Sequence, residues 1–167
     1  MHPKAEYYIR QLDLKRHPEG GYFKEIYRSH EFIEQNALPS RFSGRRSFST
    51  SIFFLLEGKD ISTFHKLKSD EQWHFYDGVP IKIYLLNKIR GLNEIVLGSN
   101  IEKDEQYTAI IKKGTWFAAE LADKNSFALI GCTVAPGFEF DDFEIASRQK
   151  LIEEFPAYKK LITQLSR

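Results

Sequence analysis

The middle of the chain is a succession of short apolar segments separated by turn residues. This pattern is typical of an all-β sandwich or barrel, because each strand needs only a few residues to cross a sheet. Turn clusters such as Glu57-Gly58-Lys59-Asp60 and Asp77-Gly78 close two of the segments. The segments that we predict as strands are 21–28, 47–56, 61–67, 71–76, 81–86, 94–97, 107–111, 116–121 and 127–134.

Both ends of the chain have helical spacing. Apolar residues at Tyr8, Ile9 and Leu12 predict a short helix within 3–14, ahead of the first strand. A second helix is predicted over 147–155 and ends before Pro156, which interrupts the helical spacing of apolar residues. This spacing resumes on one face over 158–165. The length of 167 residues fits one domain, 1–167, that is all-β with helical ends.

Composition excludes several classes of function. The 24 basic residues are balanced by 23 acidic ones, and no stretch concentrates basic residues together with aromatic ones, so we expect no nucleic-acid partner. No segment approaches the roughly 18 apolar residues of a membrane span, and the first residues lack the apolar run of a secretory signal. The single cysteine, Cys132, fits a reducing compartment. We therefore expect a cytoplasmic protein without a membrane partner.

The segment from His65 to Gly78 carries the chemistry of the chain. It places an imidazole and the Glu71 carboxylate on two strands joined by a short polar turn. If Glu71 points inward, strand parity turns Trp73 and Phe75 inward too, and His74 outward unless a bulge shifts the register. Three interpretations of His65 and Glu71 stay open: a structural hydrogen bond, a divalent metal site, and a metal-free acid–base pair.

The spacing His65-x-Leu67-x3-Glu71-x6-Gly78 resembles the first motif of the cupin superfamily, His-x-His-x3-4-Glu-x6-Gly. In the second cupin motif only Gly114 is kept. The resemblance implies that His65 and Glu71 are two of the four metal-ligand positions of that superfamily. Leu67 and Phe117 stand at the other two. We accordingly expect either no cofactor or a weakly held divalent metal at His65 and Glu71.

Further motifs resemble one small branch of the cupins, long catalogued as a domain of unknown function. They are His17-Pro-Glu-Gly-Gly21, the run from Asp70 to Pro80, the run from Gly131 to Phe140, and Asp142-Phe143. The resemblance implies a cupin jelly-roll β-barrel (a double-stranded β-helix), commonly paired as a dimer, and similar in fold to dehydrorhamnose epimerases.

Several other residues are candidates for contact with a ligand. The predicted ligand-binding residues are His74, Tyr22, Trp73, Phe75, Arg45 and Phe117. The turn His17-Pro-Glu-Gly-Gly21 is either a lid over the barrel mouth or a turn that merely needs glycine. The aromatic run from Phe138 to Phe143 has two interpretations. It either packs the C-terminal helix on the barrel, or it places the Asp142 carboxylate near His65.

We expect a cupin that binds a small polar or sugar-like ligand in the barrel. As an enzyme it would be a sugar or nucleotide-sugar isomerase or epimerase that acts through the His65 and Glu71 pair. The alternative is a non-catalytic binding or sensing cupin, and a weaker one is a metal-dependent oxygenase. A homodimer is also expected, because Phe53, Phe54, Leu86, Ile130 and Val134 cannot all point into one barrel.

Overall fold

Two antiparallel sheets packed face to face form the molecule, in a computed structural model that describes residues 1–166. One sheet has the strand order β1-β2-β5-β12-β7-β10, the other the order β13-β6-β11-β8-β9, and β3 and β4 form a small pair. The strands are β1 (Lys15–Arg16), β2 (Tyr22–Arg28), β3 (Phe32–Ile33), β4 (Arg46–Ser47), β5 (Thr50–Glu57), β6 (Ile61–Leu67), β7 (Asp70–Gly78), β8 (Ile81–Asn87), β9 (Gly91–Leu97), β10 (Thr108–Ile111), β11 (Trp116–Leu121), β12 (Phe127–Ala135) and β13 (Phe143–Ile145).

The helices lie at the two ends of the chain, as the apolar spacing predicts. They are α1 (Pro3–Gln11), α2 (Arg148–Glu154) and α3 (Lys159–Gln164), with a 3-10 turn at Pro156–Tyr158 between the last two. Proline cannot continue α2, so the chain changes direction there before α3 begins. No helix within residues 1–166 is long and apolar enough to cross a membrane.

The main core fills the space between the two sheets. Alternate residues of each strand point inward, so that Phe54, Trp73 and Phe117 meet in one buried cluster. Register shifts interrupt the β12–β7 pairing near Leu129 and the β11–β6 pairing near Phe117. These bulges bend the strands, which lets the two sheets close around an interior. The predicted jelly-roll barrel is therefore confirmed.

Helices pack on part of the outer face of each sheet. Helix α1 packs on the six-stranded sheet through a cluster that includes Leu55, and α2 and α3 pack on the five-stranded sheet over Leu86. The C-terminal segment is also bonded to the edge of β6, where Leu165 O accepts from Phe64 N (2.9 Å) and from the Thr63 hydroxyl (3.0 Å). The chain thus buries much of its own outer apolar surface, and it anchors the strand that carries His65.

Candidate functional site

A cavity of about 100 Å³ opens at one end of the barrel, between the two sheets. Strands β2, β5, β7 and β12 form one wall and β6 the other, while the segment from Phe138 to Phe143 borders it. Five phenylalanines and three aliphatic residues supply the apolar part of the lining. The polar and charged residues that line it are His17, Glu19, Glu25, Arg28, Thr50, His65, Glu71, Cys132 and Glu139.

His65 lies on β6 and is 1% exposed. Its Nδ1 is 2.7 Å from the carbonyl oxygen of Thr63, and because a carbonyl only accepts, Nδ1 carries a proton. The ring of Phe117 packs at 4.0 Å between centroids and that of Phe143 at 5.2 Å. Burial in this apolar surrounding lowers the pKa of His65 to about 4. The imidazole is therefore neutral at pH 7, with Nε2 as its acceptor atom.

The carboxylate at hydrogen-bond distance from His65 is Glu19. Its Oε2 is 3.2 Å from His65 Nε2, and its Oε1 accepts from the Ser62 hydroxyl at 2.9 Å. His17 Nδ1 approaches the same Oε2 at 3.6 Å. Nε2 of the neutral imidazole carries no proton, so the pair forms a hydrogen bond when it takes up one proton between Nε2 and Oε2. The arrangement is thus a buried pair that can take up or release a proton while both side chains stay in place.

The turn His17-Pro-Glu-Gly-Gly21 brings Glu19 into the barrel. Thr63 N donates to Glu19 O at 3.0 Å, which fixes the turn against β6. Gly21 has φ +69°, and a Cβ there would lie 2.6 Å from Leu55 O, so only glycine fits. The turn is therefore part of the site. The sequence signal for it was an acidic residue between histidine and glycines, but nothing in the spacing links Glu19 to His65.

Glu71 lies on β7, faces the same cavity and is 8% exposed. Its Oε2 has no hydrogen-bond partner within residues 1–166. Burial and the nearby Glu19 carboxylate raise the pKa of Glu71 to about 8. The neighbouring Trp73 and Cys132 side chains lower this pKa, but by less. The sequence correctly places Glu71 in the barrel with His65, but the carboxylate that contacts His65 is Glu19 rather than Glu71.

The donor set does not fit a bound metal ion. Leu67 and Phe117 supply no ligand atom, and both are buried where the two missing cupin ligands would stand. Phe117 pairs directly with His65 across β11 and β6. Within residues 1–166, no three His, Cys, Asp or Glu side chains come close enough to hold an ion together. A transition metal in a catalytic site ordinarily needs three protein ligands, so the oxygenase alternative has no support here.

Three of the predicted ligand-binding residues are core residues behind the cavity. Trp73 is 1% exposed, Phe117 is completely buried, and Phe75 is partly buried against the same cluster. Trp73 contacts Phe54 and Phe117 with ring centroids 6.0 and 5.9 Å away. These residues shape the site from behind the lining rather than line it.

The other three lie away from the cavity. His74 faces outward, as strand parity predicts, and its Nε2 is 3.4 Å from the Thr133 hydroxyl. Tyr22 points to the outer side of β2, under the guanidinium of Arg16 at 4.0 Å. Arg45 is exposed and covers the ring of Phe32 at 4.3 Å. The alternation of β2 turns Phe23, not Tyr22, into the barrel.

Arg28 is the arginine at the cavity. Its Nη1 donates to Glu139 at 2.7 Å, and its Nε and Nη2 donate to the two carboxylate oxygens of Glu25 at 3.0 and 2.8 Å. Nη2 also donates to Phe138 O at 3.1 Å. Arg28 thereby ties the Phe138–Phe143 segment to β2. The arginine among the predicted ligand-binding residues was Arg45, not Arg28.

Asp142 is paired elsewhere than expected. Both of its carboxylate oxygens accept from Arg46 at 2.6 Å, and the two side chains are almost fully buried. This ion pair fixes the Phe138–Phe143 segment to the strand pair β3–β4. Phe138, Phe140 and Phe143 form a cluster of edge-to-face contacts that borders the cavity. The aromatic run therefore packs the barrel end, and Asp142 is not the carboxylate beside His65.

The family model of the cupin superfamily (DUF985) matches residues 6–146, most of the chain. The chain belongs to the cupin superfamily. No curated protein matches this cupin in sequence.

Solved structures agree with this assignment. A crystal structure of a Shewanella oneidensis protein is 35% identical over 98% of this chain and 97% of its own, with a TM-score of 0.88. A hypothetical protein from Leishmania major is 29% identical over 97% of this chain and 98% of its own, with a TM-score of 0.87. Oxalate decarboxylase from Bacillus subtilis is 15% identical over 92% of this chain and 37% of its own, with a TM-score of 0.55, which supports the fold alone.

Proposed function

We propose that this cupin isomerises a small, sugar-like carbonyl compound by proton transfer at the His65–Glu19 pair. The observation that carries the proposal is the 3.2 Å contact between His65 Nε2 and Glu19 Oε2 at the wall of the barrel cavity. Burying two ionisable groups together is costly unless they are paired. Pairs of this kind, held in a cleft, are more common at active sites than elsewhere.

The proposed step is abstraction of a proton from the carbon next to a ligand carbonyl. The pair accepts this proton, and the electrons move onto the carbonyl oxygen to form an enediolate. The proton of the adjacent hydroxyl passes to that oxygen, the pair returns its own proton to the former carbonyl carbon, and the carbonyl has moved by one position. A single pair returns the proton to the same side of the ligand, which favours a shift of the carbonyl over inversion of one centre. Glu71 has an unfilled acceptor and is the group that a polar part of the ligand would contact.

The cavity volume limits the ligand. About 100 Å³ accommodates only a small molecule or one end of a larger one. The nucleotide part of a nucleotide-sugar would therefore remain outside the barrel, beyond Phe138 and Phe140. We propose a free compound of three to six carbons rather than a nucleotide-sugar.

Solvent deuterium incorporation tests this function. Aldoses and ketoses of three to six carbons, and their 2-amino counterparts, are incubated with the protein in D2O and followed by NMR. We expect deuterium at the carbon next to the carbonyl with the wild type, and none with His65→Gln or Glu19→Gln. His30→Gln, an exposed histidine away from the barrel, serves as the matched control and keeps the exchange.

Two outcomes would contradict the proposal. Exchange that persists in His65→Gln would remove the imidazole from the mechanism. A compound that binds without any exchange in the wild type would favour the alternative, a non-catalytic binding cupin. The apolar residues at two ligand positions of the superfamily, Leu67 and Phe117, are the observation in favour of that alternative.

We also propose a homodimer, but most of the residues from which the sequence predicts it do not lie on an exposed face. Phe54, Ile130 and Val134 point into the barrel, and Leu86 is covered by the C-terminal helices. Apolar residues that remain exposed on the outer side of the six-stranded sheet are Tyr27, Tyr76 and Ile110. A second copy packed on this face would bury them, and sedimentation at micromolar concentration would show the dimer.

A further inference from the structure

We propose that the cavity selects a cationic ligand, a small molecule that carries a primary amine, with its ammonium group against Glu71. This inference deepens the proposed function, on which it rests only in taking the cavity as the ligand site. Three independent features of the cavity support it: an unfilled carboxylate acceptor, an excess of carboxylates over free cations, and aromatic walls.

The first feature is the Glu71 carboxyl. It is 8% exposed, lines the cavity, and its Oε2 has no hydrogen-bond partner in the described part of the chain. A buried acceptor left unfilled is destabilising, and a donor from the ligand would remove this cost. Hydroxyl and ammonium groups are both donors, so this feature alone indicates a donor but not its charge.

The second feature is the charge of the lining. Glu19, Glu25, Glu71 and Glu139 supply four carboxyl groups against the guanidinium of Arg28. That guanidinium is already bonded to Glu25, to Glu139 and to Phe138 O, so it is not available to a ligand anion.

The histidines do not alter this balance. Burial lowers the pKa of both His17 and His65, so neither carries a charge of its own near pH 8. The Cys132 thiol stays protonated there, because burial raises its pKa well above the ordinary value. The field inside the cavity therefore opposes an anion and favours a cation.

The third feature is the aromatic lining. Phe23, Phe54, Phe138, Phe140 and Phe143 all face the cavity. The face of a phenylalanine ring attracts an ammonium group through its electrostatic quadrupole, and the attraction is stronger when the ammonium group is desolvated. A neutral polyol could fill the Glu71 acceptor, but it would gain nothing from the rings or from the excess of carboxylates. The combination points to an amine.

A series of two-carbon probes tests the charge directly. Ethanolamine, ethylene glycol and glycolate share one hydroxyl end and differ at the other, which is cationic, neutral or anionic. Burial and the nearby Glu19 carboxylate raise the pKa of Glu71 to about 8, so titrations at pH 8.5 present the carboxylate while an alkylamine with a pKa of about 10 keeps its proton.

The two tryptophans provide the readout by NMR. The indole N–H of Trp73 lies next to Glu71, whereas Trp116 belongs to the cluster under the C-terminal helices and serves as an internal reference. We expect ethanolamine to shift the Trp73 signal with an affinity at least about tenfold above that of ethylene glycol, with no shift by glycolate. Glu71→Gln should lose this preference and still bind ethylene glycol, and Glu102→Gln, exposed elsewhere, should keep it.

Binding of ethylene glycol or glycolate as tight as that of ethanolamine, or tighter, would overturn the inference. A preference for ethanolamine that survives in Glu71→Gln would also overturn it, and so would a Trp73 signal that none of the three probes shifts. The amide spectrum of each variant shows whether it is folded. Failure of the inference and failure of the proposed function are distinguishable. Deuterium exchange without amine preference removes only the inference, and amine preference without exchange removes only the isomerase.

Discussion

Replacing Glu71 by glutamine is expected to stabilise the protein, and the gain should grow as the pH rises. The pKa of Glu71 is raised from 4.5 to about 8 by burial and by Glu19. Between these two values the folded chain holds a proton that the unfolded chain has released. The free energy of unfolding therefore falls as the pH rises through this range, because the folded state binds more protons than the unfolded one. Glutamine cannot ionise, so the variant lacks this dependence.

The magnitude follows from the difference between the two pKa values. Each pH unit is worth about 1.4 kcal/mol of differential protonation. From pH 4.5 to pH 7 the penalty reaches about 3 kcal/mol, and above pH 8 it levels off at about 5 kcal/mol. The amide of glutamine adds a constant difference of its own, since its buried N–H groups also need partners. The informative quantity is therefore the change with pH, not the offset.

Urea unfolding of the wild type and Glu71→Gln at pH 5, 6, 7, 8 and 9 measures this change. We expect the difference in free energy of unfolding to increase by about 3 kcal/mol or more between pH 5 and pH 9 in favour of the variant. Glu102→Gln, which alters an exposed glutamate, is the matched control and should run parallel to the wild type.

Parallel curves for Glu71→Gln and the wild type would refute the reasoning. They would mean that the Glu71 carboxyl ionises with its ordinary pKa and so is solvated. A solvated Glu71 would also remove the unfilled buried acceptor on which the amine inference depends. The stability measurement thus checks the physical basis of the ligand proposal without any ligand.

Three further predictions concern stability. His65→Gln should reduce the loss of unfolding free energy in acid. The wild type loses about 1.4 kcal/mol per pH unit as the pH falls from 6.5 to about 4, because burial lowers the pKa of His65 through that range. Denaturant titrations at pH 4 to 7 measure how the unfolding free energy of each protein changes with pH, and equal changes would count against a buried neutral imidazole. Gly21→Ala should cost about 2–4 kcal/mol, because its φ of +69° and the contact of a Cβ with Leu55 O both oppose a side chain; an unchanged melting temperature would contradict this. Arg46→Met should cost about 3–5 kcal/mol by leaving Asp142 buried without its main partner, and adding Asp142→Leu should recover most of it; a double variant no more stable than the single one in urea would refute the pairing argument.

Much of the fold could be predicted from the sequence, because strands and helices leave different periods. The predicted strand 116–121 matches β11 at both ends, and the predicted 61–67 matches β6. The short strands β1, β3 and β13 were missed, and the predicted strand 47–56 merged the end of β4 with β5, since two or three residues leave no period to detect. Inward parity for Glu71 and Trp73, and outward parity for His74, followed from the same alternation.

The partners within the site could not be predicted in the same way. Glu19 reaches His65 from a loop far away in sequence, and the Arg28–Glu139 pair spans 111 positions. Periodicity says which face of a strand a side chain occupies, but it does not say which loop closes the barrel end. The cupin motif lies within one strand-turn-strand segment and therefore predicts Glu71, which belongs to that segment, as the partner of His65. Glu19 lies outside the segment. The residues around Gly20-Gly21 predict a turn, but they do not predict which strand the turn packs against.

The amino-acid sequence by itself determined the β-class, the helical ends, and the burial of one imidazole and one carboxyl group on β6 and β7. These features depend on local periodicity and turn chemistry, which act between neighbours along the chain. The tertiary structure decided that Glu19 binds His65, that Glu71 keeps an unfilled acceptor, and that the terminal helices cover part of the outer apolar surface. Those outcomes depend on the order of strands in the two sheets, which brings together residues that no local pattern connects.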